Sequence, residues 1–272
     1  MSVQPVYGET ALMAGDALVI GDLHIGLESH LRRKGFNIVS RTEDMLERIE
    51  AAAEDADRLI VLGDVKDSVP GSTKQEYTEI PVFFDSLCDL FDKVYVVRGN
   101  HDTEIEEFLP GRVVIAPAAG MVLDGTGFVH GHTWPSAEVM ACRTLVMAHD
   151  HPSVMFRDGV GRRTTEPCWL RGRFKEACSE RYPVLPQELI VVPAFNRMLG
   201  GSPVNVSGEE LLGPVLNSGL VDLDDARIYL LDGVDLGRRA DLMVDMERPP
   251  RRRARGTAPG HAGHERFLLQ LN

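Results

Sequence analysis

Five short apolar runs in the first 151 residues each stop at side chains suited to binding a metal ion. Ala17 to Ile20 runs into Asp22 and His24, and Arg58 to Leu62 runs into Asp64. Val94 to Val97 runs into Asn100 and His101, Phe128-Val129 into His130 and His132, and Thr144 to Met147 into His149 and His151. The chain has nine histidines, and six of them lie at these five places. Short apolar runs bounded by turn residues read as buried strands. In an open α/β sheet, ligands bind beyond the carboxyl ends of the strands. A fold that brings five such ends to one rim concentrates imidazole and carboxylate there. A single histidine at a strand end is an ordinary packed residue, and Gly-Asp is an ordinary turn. The repetition carries the inference.

The segments between and after these runs set the fold class. Ser40 and Glu43 have capping-box spacing, and Met45, Leu46, Ile49, Ala52 and Ala53 follow at helical intervals. A second helix is expected over about 75–91, with Pro81 limiting where it starts or kinks. Further on, short β runs dominate: 113–115, 121–123, 127–129, 154–156, 168–170, 189–192 and 228–231. Asp124-Gly125 between two of them is a hairpin signal. Alternating strands and helices followed mostly by strands imply an α/β fold with two facing mixed sheets flanked by helices. We expect one domain over residues 1–246. An Arg-, Pro- and Gly-rich flexible linker is expected over 247–264, and a short apolar segment over 265–272 that docks on the domain or on a partner.

Composition excludes several classes. Apolar residues make up 43% of the chain and charged residues 26%, which is ordinary for a globular protein and rules out disorder over most of it. A formal net charge of −12 opposes binding of nucleic acid or anionic membrane by the whole surface, and leaves room for a locally basic groove. Cys88, Cys142, Cys168 and Cys178 form no Cys-x-x-Cys, which argues for free thiols in a reducing cytoplasm. Residues 1–13 lack a basic and apolar leader, and no apolar run approaches the roughly 18 residues of a membrane span. A soluble, cytoplasmic protein with no membrane partner is expected.

The donor set defines the chemistry. Imidazoles and carboxylates without thiolates suit manganese, iron, zinc or nickel better than calcium. Two carboxylates, one amide and up to five imidazoles exceed the needs of one ion. They suit two ions about 3.5–4 Å apart with one aspartate between them. Such a pair retains positive charge, attracts anions and best fits phosphoryl chemistry. No Gly-x-Ser-x-Gly elbow and no Cys-His pairing signal supports a serine or thiol hydrolase. The competing reading is a non-catalytic metal-binding scaffold that holds protein partners.

The blocks Gly21-Asp22-Leu23-His24, Gly63-Asp64-Val65-Lys66-Asp67, Gly99-Asn100-His101-Asp102, His130-Gly131-His132 and Ala148-His149-Asp150-His151 resemble the calcineurin-like metallophosphoesterase superfamily. The stretch Pro193-Ala194-Phe195-Asn196 and the strand near Ile228 are similar to its small prokaryotic branch, which includes the bacterial DNA-ligase-associated phosphoesterases. The resemblance covers about residues 17–152 and implies a four-layer αββα sandwich. It also implies hydrolysis of phosphate esters, phosphodiesters above all, by attack of a hydroxide bridging two divalent ions, with manganese first. Asp22, His24 and His151 would hold one ion, Asn100, His130 and His149 the other, and Asp64 would bridge. His101, with Asp102 behind it, would contact the phosphoryl oxygen or protonate the leaving group. His132 would stand behind the ligands or face the substrate, and Arg98 would face the substrate. The last block departs from the pattern, with Ala148 where glycine is usual, and loses no ligand. The expected partners are a phosphoester substrate, nucleic acid or nucleotide among them, and a second copy of the chain as a homodimer. Residues 157–181 carry seven cations against four acids, with Trp169 and Phe174 interleaved. This reads as a nucleic-acid contact strip or as a solvated strand edge over core aromatics. The arginines over 248–255 read as a polyanion contact or a solvated linker.

Overall fold

The computed structural model describes residues 2–53, 56–175 and 180–246. The expected linker, the apolar C-terminal segment and Cys178 lie outside the described residues.

Two mixed sheets face each other. The first contains β1 (Val3–Pro5), β2 (Leu12–Ala14), β3 (Ala17–Ile20), β4 (Arg58–Val61), β5 (Lys93–Val97) and β6 (Val114–Ala116), paired in that order. β3 to β6 are parallel, so their carboxyl ends share one edge. The crossovers carry α1 (Leu27–Arg33), α2 (Thr42–Ala52) and α3 (Lys74–Leu90). The second sheet is built around β8 (Thr126–Val129), β9 (Thr144–Met147) and β12 (Glu188–Val191), which run parallel. It is extended by β7 (Met121–Leu123), β10 (Pro152–Arg157), β11 (Arg163–Arg173), β13 (Ser202–Pro203), β14 (Arg227–Leu230) and β15 (Asp235–Arg238). Two short helices, α4 (Ala137–Met140) and α5 (Pro214–Asn217), cover its outer face.

Strand alternation builds three apolar layers. Leu18, Ile20, Leu59 and Val61 point outward under Met45 and Ile49 of α2 and Ile80, Phe84 and Leu87 of α3. Ala17, Val19 and Ile60 point inward and meet Phe128, Val146 and Ile190 of the second sheet. Leu145, Met147, Leu189 and Val191 face the outer helices. The result is the α/β fold of two facing mixed sheets expected from the element pattern, layered as the family resemblance implies.

Local signals held where they were local. Asp124 and Gly125 both take positive φ, 48° and 77°, as the two-residue hairpin between β7 and β8 requires. The capping box does not fall at Ser40 and Glu43: the N-cap of α2 is Arg41, and the Ser40 hydroxyl bonds Glu79 and Thr42 instead. The box lies at Thr73 and Glu76 on α3. Pro81 sits inside α3 without ending it. Trp169 and Phe174 are buried, so in the basic strip the aromatics belong to the core layers. Among the described residues, no helix is long and apolar enough to cross a membrane.

Candidate metal centre

All five ligand-bearing strand ends meet. Three overlapping groups have donor atoms within 4.8 Å of one another: Asp22, His24 and His151; His24, Asp64 and His101; and Asp64, His130 and His149. The six imidazoles form two clusters of three. His24 lies 4.8 Å from His101 and 5.4 Å from His151, while His130 lies 4.8 Å from His149 and 5.2 Å from His132, centroid to centroid.

The backbone is strained where the donors sit. Asp22, His24, Asp64, His149 and His151 all have positive φ, between 42° and 72°. Such conformations cost non-glycine residues on the order of 1 kcal/mol or more each and cluster at functional sites. Gly99 is forced by a close approach: a Cβ there would overlap Asp64 Oδ1 and the Asp64 backbone nitrogen. The departure at Ala148 also has a physical setting. Its methyl is buried against Gly21, where an added Cβ would come within 2.8 Å of it. Gly21 supplies the room that Ala148 takes, and His149 and His151 keep their places.

Asp64 is the shared residue. Its Oδ2 lies 3.4 Å from His24 Nε2 and 3.3 Å from His130 Nε2, and its Oδ1 accepts the His101 backbone N–H at 2.9 Å. Asp22 Oδ1 lies 3.2 Å from His151 Nε2, and Asp22 Oδ2 accepts the His149 N–H at 3.2 Å. Asn100 presents Oδ1 to His130 Nε2 at 3.0 Å.

Two backbone carbonyls fix ring tautomers. His130 Nδ1 lies 2.7 Å from Leu62 O, and His101 Nδ1 lies 2.6 Å from Asp67 O. A carbonyl only accepts, so each Nδ1 carries the proton and each neutral ring keeps its Nε2 lone pair for the site. Asp67 Oδ1 also lies 3.3 Å from His24 Nδ1.

Asp102 does not back His101. It is fully buried, its Oδ1 accepts Val65 N–H and its Oδ2 accepts Gly99 N–H, both at 2.8 Å. The carboxylate therefore fastens the Asp64 loop to the Asn100–His101 loop. Arg98 also serves this loop: it donates to Asp102 O at 2.9 Å and pairs with Glu106.

In the metal-free chain the buried carboxylates and imidazoles hold one another's charge. Burial works to raise Asp22 and Asp64, but His151 and His130 for the first, and His130 and His24 for the second, hold both below the ordinary carboxylate value. Burial works to lower His130, but Asp64 and Asp22 outweigh it and push it up to about 9. His151 is raised by Asp22 in the same way, against its own burial. His149 is held down at about 4 by burial and by His130. Burial and His130 also lower His132. Buried Asp22 Oδ1, both ring nitrogens of His24 and His151 Nε2 have no hydrogen-bond partner among the described residues. Leaving buried polar atoms unpaired costs about 1–3 kcal/mol each. Divalent cations bound by these donors would remove that cost, so the residues present fit a metal centre.

The family model for calcineurin-like phosphoesterases matches residues 16–204. The chain belongs to the calcineurin-like phosphoesterase family. It is a metal-dependent phosphoesterase, and every ligand-bearing strand end lies within the matched span. Two solved structures are similar. Nuclease MPE from Pseudomonas putida is 19% identical with a TM-score of 0.48, covering 85% of this chain and 96% of that one. Yfce, a phosphoesterase from E. coli, is 18% identical with a TM-score of 0.39, covering 82% and 97% respectively. No curated protein matches the sequence.

In this phosphoesterase, sequence reasoning missed the role of Asp67, although it stands only three residues after Asp64. It also missed how residues 193–196 act. After β12, Phe195 N–H donates to Gly21 O and Asn196 Nδ2 donates to Leu23 O, both at 2.9 Å. This stretch clamps the loop that carries Asp22 and His24.

Proposed function

We propose that this phosphoesterase hydrolyses phosphodiesters, with nucleotides or nucleic acid as the substrate class, at a centre holding two divalent cations. The observation that carries the proposal is the Asp64 carboxylate, one oxygen of which lies within 3.4 Å of a ring in each of two ligand groups. In this reading Asp22, His24 and His151 hold one cation, Asn100, His130 and His149 hold the other, and Asp64 serves both. Manganese is the first choice, because the donors are imidazole, carboxylate and amide with no thiolate. When bound, the cations supply Lewis acidity toward a phosphoryl oxygen and lower the pKa of water.

The remaining work falls to the chain. His101 is anchored through Nδ1–H to Asp67 O, which leaves Nε2 as the working atom. In its imidazolium form it holds a proton on Nε2 and delivers it to the leaving oxygen. Proton transfer of this kind contributes about 10²–10⁴ in rate. His132, half-buried beside His130 and His149, stays neutral and orients the substrate. Asp102 and Arg98 hold the loop and thereby the position of Asn100 and His101.

The test is an activity matrix on metal-stripped, reloaded protein. Manganese, nickel, iron and zinc are each assayed against 4-nitrophenyl phosphate, bis(4-nitrophenyl) phosphate, a cyclic nucleotide and single-stranded DNA. Manganese-dependent turnover of the diester above the monoester is expected. Absence of turnover with every metal would restore the scaffold reading.

A further inference from the structure

The end of the second sheet opposite the metal ligands carries a basic cleft that the hydrolytic centre does not use. β9 and β12 are parallel: one end of β9 leads to His149, and the other follows Arg143. Four strand residues at about 3.3 Å each separate the two ends by roughly 13 Å. The cavity at the Arg143 end has a volume of about 1210 Å³ and is lined by Arg143, Arg171, Arg173, Lys175 and Arg227, against Glu188 and Asp225.

The carboxylates there are already matched. Arg171 pairs with Glu188, and Arg238 stands 3.7 Å from Asp225. Arg227 is matched in turn by Asp235. Arg143, Arg173 and Lys175 are exposed and have no side-chain partner among the described residues. Three cations without a partner among the described residues, in one cleft on a chain of net charge −12, make a local trap for anions.

A second cavity of about 370 Å³ adjoins the first and shares Arg171 and Tyr229 with it. Its walls include Leu12, Ile190 and Trp169, and the buried indole N–H of Trp169 has no hydrogen-bond partner among the described residues. The volume is within the range of small-ligand sites, about 300–1,000 Å³. A basic trough beside an apolar, aromatic-walled hole matches a chain of phosphates that carries a flat ring with polar edges. Only an unpaired base can turn aside from its strand in this way.

We propose that these neighbouring cavities together form a second site that binds single-stranded nucleic acid. Phosphates run along Arg143, Arg173 and Lys175, and one base enters the apolar cavity beside Tyr229 and Trp169. The binding site stands on its own observations; that a strand held there is also cut at the metal centre rests on the phosphodiesterase reading.

The test measures anisotropy of a fluorescein-labelled dT12 with the full-length protein in EDTA, which removes the metal centre from the measurement. Arg143→Ala/Arg173→Ala/Lys175→Ala is expected to weaken binding by more than about tenfold and to reduce the slope of log affinity against log salt by about 2. Its melting temperature and its manganese-dependent turnover of bis(4-nitrophenyl) phosphate should match wild type. A control variant, Arg251→Ser/Arg252→Ser/Arg253→Ser, should bind nearly as wild type. In Trp134→Phe, where Trp169 is the remaining tryptophan, the oligonucleotide should change the emission. Undiminished binding by the triple alanine variant, or loss of binding confined to the serine variant, would overturn the site. So would thymidine monophosphate competing as tightly as dT12, because the occupant would then be a mononucleotide. Failure of oligonucleotide cleavage with binding intact would count against the phosphodiesterase reading alone.

Discussion

Replacing Asp102 separates a fastening role from a role in proton transfer. The carboxylate accepts three backbone N–H groups, from Val65 and Gly99 at 2.8 Å and more weakly from Lys66 at 3.4 Å, and is fully buried. Asp102→Ala leaves the two close donors, Val65 and Gly99, buried without that partner. Hydrogen bonds to a charged group contribute about 1.5–3 kcal/mol each, so the loss is about 3–6 kcal/mol. At ~2–4 °C per kcal/mol for a chain of this size, the melting temperature should fall by roughly 6–24 °C. Asp102→Asn keeps one acceptor oxygen and turns an amide donor toward the other N–H, so it should recover less than half of the loss. Because the two N–H groups belong to the loops carrying Asp64 and Asn100–His101, metal content should fall with stability. Differential scanning calorimetry and elemental analysis on the same preparations read both. A variant with wild-type melting temperature and metal content but greatly reduced kcat would refute the reasoning, and would put Asp102 behind His101 as a catalytic pair.

Three further outcomes follow from the same geometry. His101→Ala should keep its metals and lose about 10²–10⁴ in kcat on bis(4-nitrophenyl) phosphate; unchanged turnover would remove His101 from proton delivery. Gly99→Ala drives a methyl into Asp64 Oδ1 and the Asp64 nitrogen, so the variant should lose both metal and activity; full metal occupancy would show that the loops can part. In the metal-free protein His130 holds its proton up to about 9, and cations must displace it. Metal affinity measured by chelator competition should therefore rise toward pH 9, by up to about tenfold per pH unit for each proton released. The stability that His130 gives the metal-free chain is full below its unfolded value of about 6.5 and is lost as pH rises through about 9. Metal affinity flat between pH 6 and 9 would contradict this proton competition.

What could be read in advance was what the chain encodes locally. A buried strand followed at once by Gly-Asp or Gly-Asn-His is written in consecutive residues, so the strands of the first sheet that feed the site and their donors stood out together. β1 and β2 did not, because three-residue strands gain their partners only when the amino-terminal segment folds back on β3. The capping signal at Ser40 misled because a tertiary partner, Glu79, takes the hydroxyl that a local box would have used. Pro81 lies mid-helix in α3, whose neighbours Ile80, Phe83 and Phe84 are buried in the outer layer; tertiary packing there overrides the local penalty. The family resemblance implied that Asp102 stands behind His101. The fold instead sends its carboxylate to Val65 and Gly99, and gives His101 the Asp67 carbonyl, a group no side-chain pattern encodes.

The central claim is that five strand ends cage a pair of cations. Anomalous diffraction from manganese-soaked crystals tests it most directly. Two peaks about 3.5–4 Å apart are expected, one among Asp22, His24 and His151, the other among Asn100, His130 and His149, with Asp64 between them. A single peak, or peaks away from these residues, would contradict the account.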